Sequence, residues 1–179
     1  MADLAHSESC AVPCGHLALV AERDLLVQVV FCPDRAAVEA VLAKEFPGAV
    51  QAETPLLRQG RRQMEDWFAG RLTEFTLPLA WHRVSGFALR CLRELAKVPY
   101  GEVISYGELA QRAGSPRGAR AVGGVMAGNP WPIVIPCHRV LAAGGGYGGY
   151  SGGYGLESKR WLLSFEASVK ARSAAAPRS

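Results

Sequence analysis

The chain has 179 residues, 49% of them apolar and 20% charged. This composition excludes collagen-like, low-complexity and disulfide-stapled chains and allows one domain or two small ones around a self-sufficient core. The formal charge of +4 hides an asymmetry: residues 1–80 carry 7 Lys/Arg and 11 Asp/Glu (net −4), whereas residues 81–179 carry 13 and 5 (net +8). A basic segment joined to an acidic one is what a nucleic-acid-binding module on a support would show, although solubility alone also accounts for it.

Five cysteines without a Cys-x-x-Cys pair argue against a disulfide framework and a ribbon-type zinc site. The start, Met1-Ala2-Asp3-Leu4-Ala5-His6, lacks the basic and apolar regions of a signal peptide. No apolar run approaches the ~18 residues that span a bilayer. A cytoplasmic protein with reduced thiols and no membrane partner is expected.

In chain order, residues 16–21 (HLALVA) and 25–31 (LLVQVVF) around Glu22-Arg23-Asp24 predict a β-hairpin. Asp34 is placed to cap a helix carrying Ala37, Val38, Val41, Leu42 and Phe46 at helical spacing, stopped by Pro47-Gly48. A second helix fits 55–69, opened by Pro55 and closed by Gly70, and residues 75–81 form an extended crossing. The sign of the charge flips near residue 81. The expected division is therefore a support domain over 1–80 and a basic domain over 81–170, with a tail over 171–179 that lacks core-forming residues and is expected to be disordered.

The second half begins with a helix over 85–97, a short strand at Val103-Ile104, and a helix over 106–112 capped by Ser105. A turn at Ala113-Gly114-Ser115 follows, with Ser115 capping a further helix that has Pro116 at its first position. This is a helix-turn-helix pattern. Its second helix holds Gly118, Gly123, Gly124 and Gly128 among alanines, with Arg120 as the one long polar side chain. Each interior glycine weakens a helix by about 1 kcal/mol, so something requires a thin face. Either another backbone packs closely on it, or it approaches a nucleic-acid surface.

Asn129-Pro130-Trp131-Pro132 leads to a buried-strand run, Ile133-Val134-Ile135, and then Pro136-Cys137-His138-Arg139-Val140. Residues 144–155 hold 8 of the 20 glycines, interleaved with Tyr147, Tyr150 and Tyr154, and read as a binding loop or a plain linker. A closing helix covers 156–166. A cysteine beside a histidine after a proline can be a nucleophile, although a lone buried cysteine is more often inert packing. Because the thiolate is the attacking form, Cys137 needs a base. His138 is the candidate, acting through a water because neighbours on a strand point to opposite faces. Glu166 is the best acceptor to orient His138, with a solvated helix-end charge as the plain alternative, and Asn129 can fix the loop that bears the thiol.

Six blocks in register over residues 87–166 carry a resemblance. They are Gly101-Glu102-Val103-Ile104-Ser105-Tyr106, Arg120-Ala121-Val122-Gly123, Asn129-Pro130, Pro136-Cys137-His138-Arg139-Val140, Tyr150-Ser151-Gly152-Gly153, and Lys159 with Trp161-Leu162-Leu163 through Glu166. This half resembles the O6-alkylguanine-DNA alkyltransferases. The first half matches more weakly, through the hairpin and Trp67-Phe68-Ala69-Gly70. The resemblance implies an α/β (α+β) chain, with a ribonuclease-H-like N-terminal sheet domain and a mainly helical C-terminal domain carrying the helix-turn-helix and a short catalytic strand.

The resemblance further implies a monomer that binds double-stranded DNA through the minor groove by Ala119, Arg120, Ala121, Gly123 and Tyr106, with Arg120 filling the stack as the alkylated base flips out. Cys137 would take the alkyl group from O6 of guanine, or as a further candidate O4 of thymine, once and irreversibly, without a cofactor. His138 and Glu166 would assist, Tyr106 would protonate the base, and an N–H of Ser151 would meet the oxygen. Met126, Pro132 and Tyr150 would line the pocket, and the Cys137 and Val140 carbonyls would read the exocyclic amine.

The chain departs from the family pattern by an apparent insertion at Tyr154-Gly155, so either Tyr150-Ser151 or Tyr154-Gly155 forms the pocket pair. Some relatives bind zinc in the N-terminal domain. Cys10, Cys14, His16, Cys32 and His82 would be the ligands here, but their spacing fits no zinc pattern and no metal is expected. The alternatives are a non-catalytic alkylated-DNA-binding protein, disfavoured because Cys137 is present, and a transcriptional regulator. Few basic residues sit on the recognition helix, so DNA affinity should be modest, salt-sensitive and largely sequence-independent.

Overall fold

The computed structural model describes residues 4–175. Its first half is a five-stranded sheet flanked by two helices. Strands β1 (Leu4–His6) and β2 (Cys10–Val12) both pair antiparallel with β3 (Gly15–Glu22), β1 at its end and β2 at its start. Ser7 bridges the break between them, its hydroxyl accepting the Leu19 N–H at 3.0 Å. The expected hairpin joins β3 to β4 (Leu25–Cys32) in the register His16↔Cys32 through Glu22↔Leu25, with one irregularity at Val20/Ala21. Asp34 caps helix α1 (Arg35–Glu45), accepting the Ala37 N–H at 2.9 Å. A two-residue strand β5 (Val50–Gln51) then pairs parallel with β1.

Helix α2 (Pro55–Phe68) has Thr54 as its cap and proline at its start, where a missing N–H costs nothing. Gly70, with φ +72°, ends it as expected. The extended crossing hydrogen-bonds to β4 on both sides of Leu26, whose N–H donates to the Pro78 carbonyl at 2.7 Å and whose carbonyl accepts the Ala80 N–H at 3.0 Å. A single 3-10 turn, Trp81–Arg83, leads into the helical half.

That half contains α3 (Gly86–Leu95), the short strand β6 (Ile104–Ser105), α4 (Tyr106–Arg112) and α5 (Ala119–Ala127). Ser105 caps α4 as expected, accepting the Glu108 N–H at 3.0 Å. Ser115 does not cap the second helix: Ser115 to Gly118 close a turn of their own, and α5 starts at Ala119 after Gly118.

The expected strand at 133–135 is also absent. Pro130, Pro132 and Pro136 remove the amide donors a strand would need. The segment instead folds into a tight loop with Ile133 at φ +73° and the Ile135 N–H on the Trp131 carbonyl at 2.7 Å. Strand β7 (Val140–Leu141) follows Cys137 rather than preceding it and pairs parallel with β6. Helix α6 (Leu156–Ala175) is longer than expected and runs five residues into the segment read as disordered, while residues 176–179 of that segment lie outside the described residues.

The two halves share one core. Trp131, fully buried, donates its indole N–H to the Leu26 carbonyl at 2.9 Å, and the Val29 N–H reaches the Pro130 carbonyl at 2.8 Å. The loop that carries Cys137 is thus pinned to β4.

Candidate active site and nucleic-acid face

Cys137, His138 and Arg139 form a single buried 3-10 turn. Successive side chains on such a turn project about 120° apart. Cys137 and His138 therefore diverge as they would on a strand, although the backbone differs. Behind the turn, His138 Nε2 lies 2.7 Å from Glu166 Oε1. The same carboxylate accepts from Arg139 Nε at 3.1 and 2.9 Å and from Arg139 Nη2 at 2.8 Å, and its second oxygen accepts the Gly101 N–H at 2.9 Å. Arg139 Nη1 is held by the Val98 carbonyl at 2.7 Å.

Burial alone would raise the Glu166 pKa, but the hydrogen bonds from His138 and Arg139 and the charge of Arg139 override it and hold the carboxyl at about 2. Burial pushes the His138 pKa down against the pull of Glu166, which keeps the imidazole neutral. Its remaining nitrogen, Nδ1, is buried and has no partner among the described residues. With Nε2–H donated to the carboxylate, Nδ1 carries the free lone pair.

Burial raises the Cys137 thiol pKa, and the Asn129 amide, the Lys159 charge and the Tyr150 hydroxyl ease it back in part. The resting sulfur is a protonated thiol that a base must activate. Asn129 straps its loop as expected: its amide N–H donates to the Ile135 carbonyl at 2.8 Å, and its oxygen accepts the Trp131 N–H at 3.0 Å.

Two cavities adjoin, sharing Met126, Ala127, Tyr150 and Ser151, and the smaller of them reaches Cys137. One, of about 310 Å³, is lined by Cys137, Asn129, Pro132, Met126, Tyr150 and Ser151, and also by Val30 and Cys32 of β4. The other, of about 470 Å³, is lined by Tyr106, Arg120, Ala119, Gly123, Met126, Tyr150 and Ser151. Tyr150-Ser151 is thus the pair at the cavities, and Tyr154 points away with 54% of its surface exposed. Ala121 is exposed on α5 but lines neither cavity. Val140 also lines neither: it is fully buried, and its carbonyl accepts from Lys159 Nζ at 2.6 Å.

The glycine-rich helix has its thin side open. A Cβ built on Gly123 or Gly124 would meet nothing within 4 Å. Close packing against another backbone of this chain, one of the two explanations for those glycines, is therefore excluded among the described residues. The N-terminal cysteines are free thiols, and among the described residues no group of three or more His, Cys, Asp or Glu is arranged to hold a metal ion.

Three features were not legible beforehand. Arg139 shares the Glu166 carboxylate with His138, β4 supplies part of the cavity wall, and Lys159 is a fully buried ammonium held by the Val140, Tyr147 and Gly149 carbonyls. Lys159 and Glu166 lie on the inner stripe of α6 with Ser158, Leu162 and Val169, and two charges on a core-facing stripe are a readable signal.

Residues 86–168 match the family model described as 6-O-methylguanine DNA methyltransferase, DNA binding domain. The chain is 35% identical over 156 residues to the methylated-DNA–protein-cysteine methyltransferase of Methanosarcina acetivorans, covering 87% of this chain and 94% of that one. It is 52% identical over 99 residues to the human protein of that name, and 49% identical over 123 residues to that of Mycolicibacterium paratuberculosis. The matched segments span 47% and 66% of those two relatives, or about half to two thirds of their length. Among solved structures, the O6-methylguanine methyltransferase of Mycobacterium tuberculosis superposes with a TM-score of 0.78 at 32% identity, covering 98% of this chain and 96% of that one. A structure of the M. tuberculosis protein in complex with DNA gives a TM-score of 0.75 at 33% identity, covering 92% and 93%. The chain belongs to the methylated-DNA–protein-cysteine methyltransferase family.

Proposed function

We propose that the chain repairs duplex DNA by moving one alkyl group from O6 of guanine, or O4 of thymine, onto Cys137 in a single irreversible event. The observation that carries this reading is a protonated, buried thiol beside a neutral histidine oriented by a carboxylate, in a cavity next to an open glycine-faced helix.

The damaged base leaves the stack and enters the cavity, with Arg120 taking its place and α5 lying in the minor groove. His138 Nδ1 accepts the thiol proton through a water. The sulfur then forms a bond to the alkyl carbon as the carbon–O6 bond breaks, and the electron pair passes to guanine. Tyr106 supplies a proton to the base. Burial raises its pKa, so the hydroxyl is present as a donor, and it now rests on the Gly149 carbonyl at 3.4 Å. An N–H of Ser151 faces the departing oxygen. The proton held by His138 passes to solvent and solvent reprotonates Tyr106, so the thiol loses one proton, guanine gains one, and both side chains end as they began. A thioether does not hydrolyse in neutral water, so each molecule acts once; the proposed acting unit is a monomer.

Incubation with duplex DNA containing O6-methylguanine followed by intact-mass analysis tests this. One added methyl group, mapped to Cys137, is expected. Repeated turnover, a modified residue elsewhere, or tight binding without an adduct would overturn it.

A further inference from the structure

Most basic side chains of this protein are neutralised internally or lean on aromatic rings in the body of the fold. Arg112 pairs with Glu108 at 2.6 Å and Lys170 with Glu102 at 3.2 Å, while Arg93 lies 4.2 Å from the Trp81 ring centroid. In the basic half, Arg117, Arg120, Arg160 and Arg172 are exposed and make no ion pair among the described residues, and of the two on α6 only Arg160 rests on an aromatic ring. Arg120 and Arg117 belong to the helix-turn-helix. Arg160 is on α6, outside every motif that points to DNA.

Arg160 is nevertheless prearranged. Its guanidinium carbon lies 5.0 Å from the centroid of the Tyr147 ring, which is 40% exposed. The next residue, Gly148, lines the wall of the cavity whose helix side carries Arg120 and Gly123. The Tyr147 backbone is itself anchored, because its carbonyl accepts from the buried Lys159 ammonium. Gly148 fixes the approach further: at φ +65°, a Cβ there would lie 2.7 Å from the Tyr106 ring and hydroxyl. Thus an aromatic platform is tied down at the pocket mouth and presents a flat guanidinium. A guanidinium stacked on a ring keeps its N–H edges free and offers a planar fork that suits a phosphate. Glu157, one turn earlier on α6, is the acidic neighbour in sequence, and it does not pair with Arg160.

We infer that Arg160, held on Tyr147, is a second phosphate clamp for duplex DNA, placed on the loop side of the pocket mouth whose helix side carries Arg120. The inference rests on the DNA-repair reading above and adds a contact point to it. Its role is to hold the backbone of the strand from which the base is drawn, without touching the base.

The test measures binding of an unmodified duplex over a range of salt concentrations for the wild type, R160Q, Y147A and R62Q. Arg62 is an exposed, unpaired arginine on α2 and controls for the loss of one charge. R160Q should lower the magnitude of the log K against log salt slope by about 0.9 and weaken binding about three- to tenfold near 0.1 M salt. Y147A should weaken binding while keeping the slope, because the charge remains but loses its platform. R62Q should leave the slope intact. In single-turnover transfer from alkylated duplex, the R160Q defect should appear in the DNA concentration giving half-maximal rate. An unchanged slope in R160Q, or a slope change of equal size in R62Q, would overturn the clamp. So would a fall in maximal transfer rate without a change in slope. Absence of transfer by the wild type would instead reject the repair reading.

Discussion

His138 and Glu166 meet at 2.7 Å in a region closed to solvent, and the carboxylate that orients the histidine also neutralises Arg139. One buried anion serves two cations or potential cations. Removing its charge has two separable consequences, one for chemistry and one for folding.

Glu166→Gln keeps the volume and an acceptor for the Gly101 N–H but leaves Arg139 as an uncompensated buried charge. Stability should fall by about 3 kcal/mol, the usual cost of breaking a buried pair from one side. Alkyl transfer per folded molecule should slow by roughly 100-fold, as expected when a general base loses its orienting partner. Denaturant titration and single-turnover kinetics at a temperature where the variant is folded separate the two effects. A transfer rate equal to wild type would reduce Glu166 to a structural counter-ion.

Acid should unfold the protein through these same two groups. The folded Glu166 pKa is about 2 against an ordinary 4.5, so its contribution is complete above pH 4.5 and is lost as pH falls toward 2. The difference corresponds to about 3 kcal/mol. His138 acts in the same direction. Its folded pKa lies below the ordinary 6.5, so the unfolded chain binds that proton first and stability declines as pH drops below 6.5. Unfolding free energies at pH 7.5, 5.5 and 4 should fall in that order, and the loss between pH 5.5 and 4 should be shallower in Glu166→Gln. A flat profile would mean that the network does not carry this charge distribution.

Much of this architecture was readable because the relevant signals are local. The hairpin follows from two apolar runs around a polar turn, and α1, α2 and α4 follow from the Asp34, Thr54 and Ser105 caps, the second of them visible as Pro55 at the helix start. The Cys137-His138 pair and Glu166 were legible as residue types suited to nucleophilic chemistry. Glu166 was expected to orient His138, and the two lie 2.7 Å apart; that Arg139 binds the same carboxylate was not legible, because 27 residues separate the two and only tertiary packing closes that gap. The strand expected at 133–135 failed because its apolar, β-branched residues signal burial without specifying a backbone. The prolines on either side decide the backbone, and they favour a loop. The contribution of β4 to the cavity depends on a contact spanning 105 residues, between Trp131 and Leu26, that no local pattern encodes.

Gly123 offers a test in which folding and function move in opposite directions. A Cβ at that position meets nothing in the protein, so Gly123→Ala should stabilise α5 by about 0.5–1 kcal/mol through helix propensity. If the glycine is there to let DNA approach, the same substitution should weaken duplex binding, and Gly123→Leu should weaken it further. Thermal melts and fluorescence anisotropy with a short duplex give both readings. A stabilised Gly123→Leu protein that binds DNA as well as the wild type would show that the thin face serves something else.

Lys159 is buried without a carboxylate partner among the described residues, and its ammonium is satisfied by carbonyls alone. Two of those carbonyls, from Tyr147 and Gly149, belong to the glycine-rich loop, and Gly149 is also where the Tyr106 hydroxyl rests. Lys159→Met fills the same space but leaves the carbonyls without a donor. Stability should fall by about 1–3 kcal/mol for the unsatisfied acceptors, offset in part because no charge then needs burying. The larger effect should be local. Amides over residues 142–150 should exchange with solvent faster than in the wild type, while those of β3 and β4 keep their protection. Transfer to Cys137 should slow as Tyr106 loses a fixed neighbour. Hydrogen-exchange mass spectrometry reads the loop directly, and unchanged exchange there would show that the loop holds its shape without Lys159.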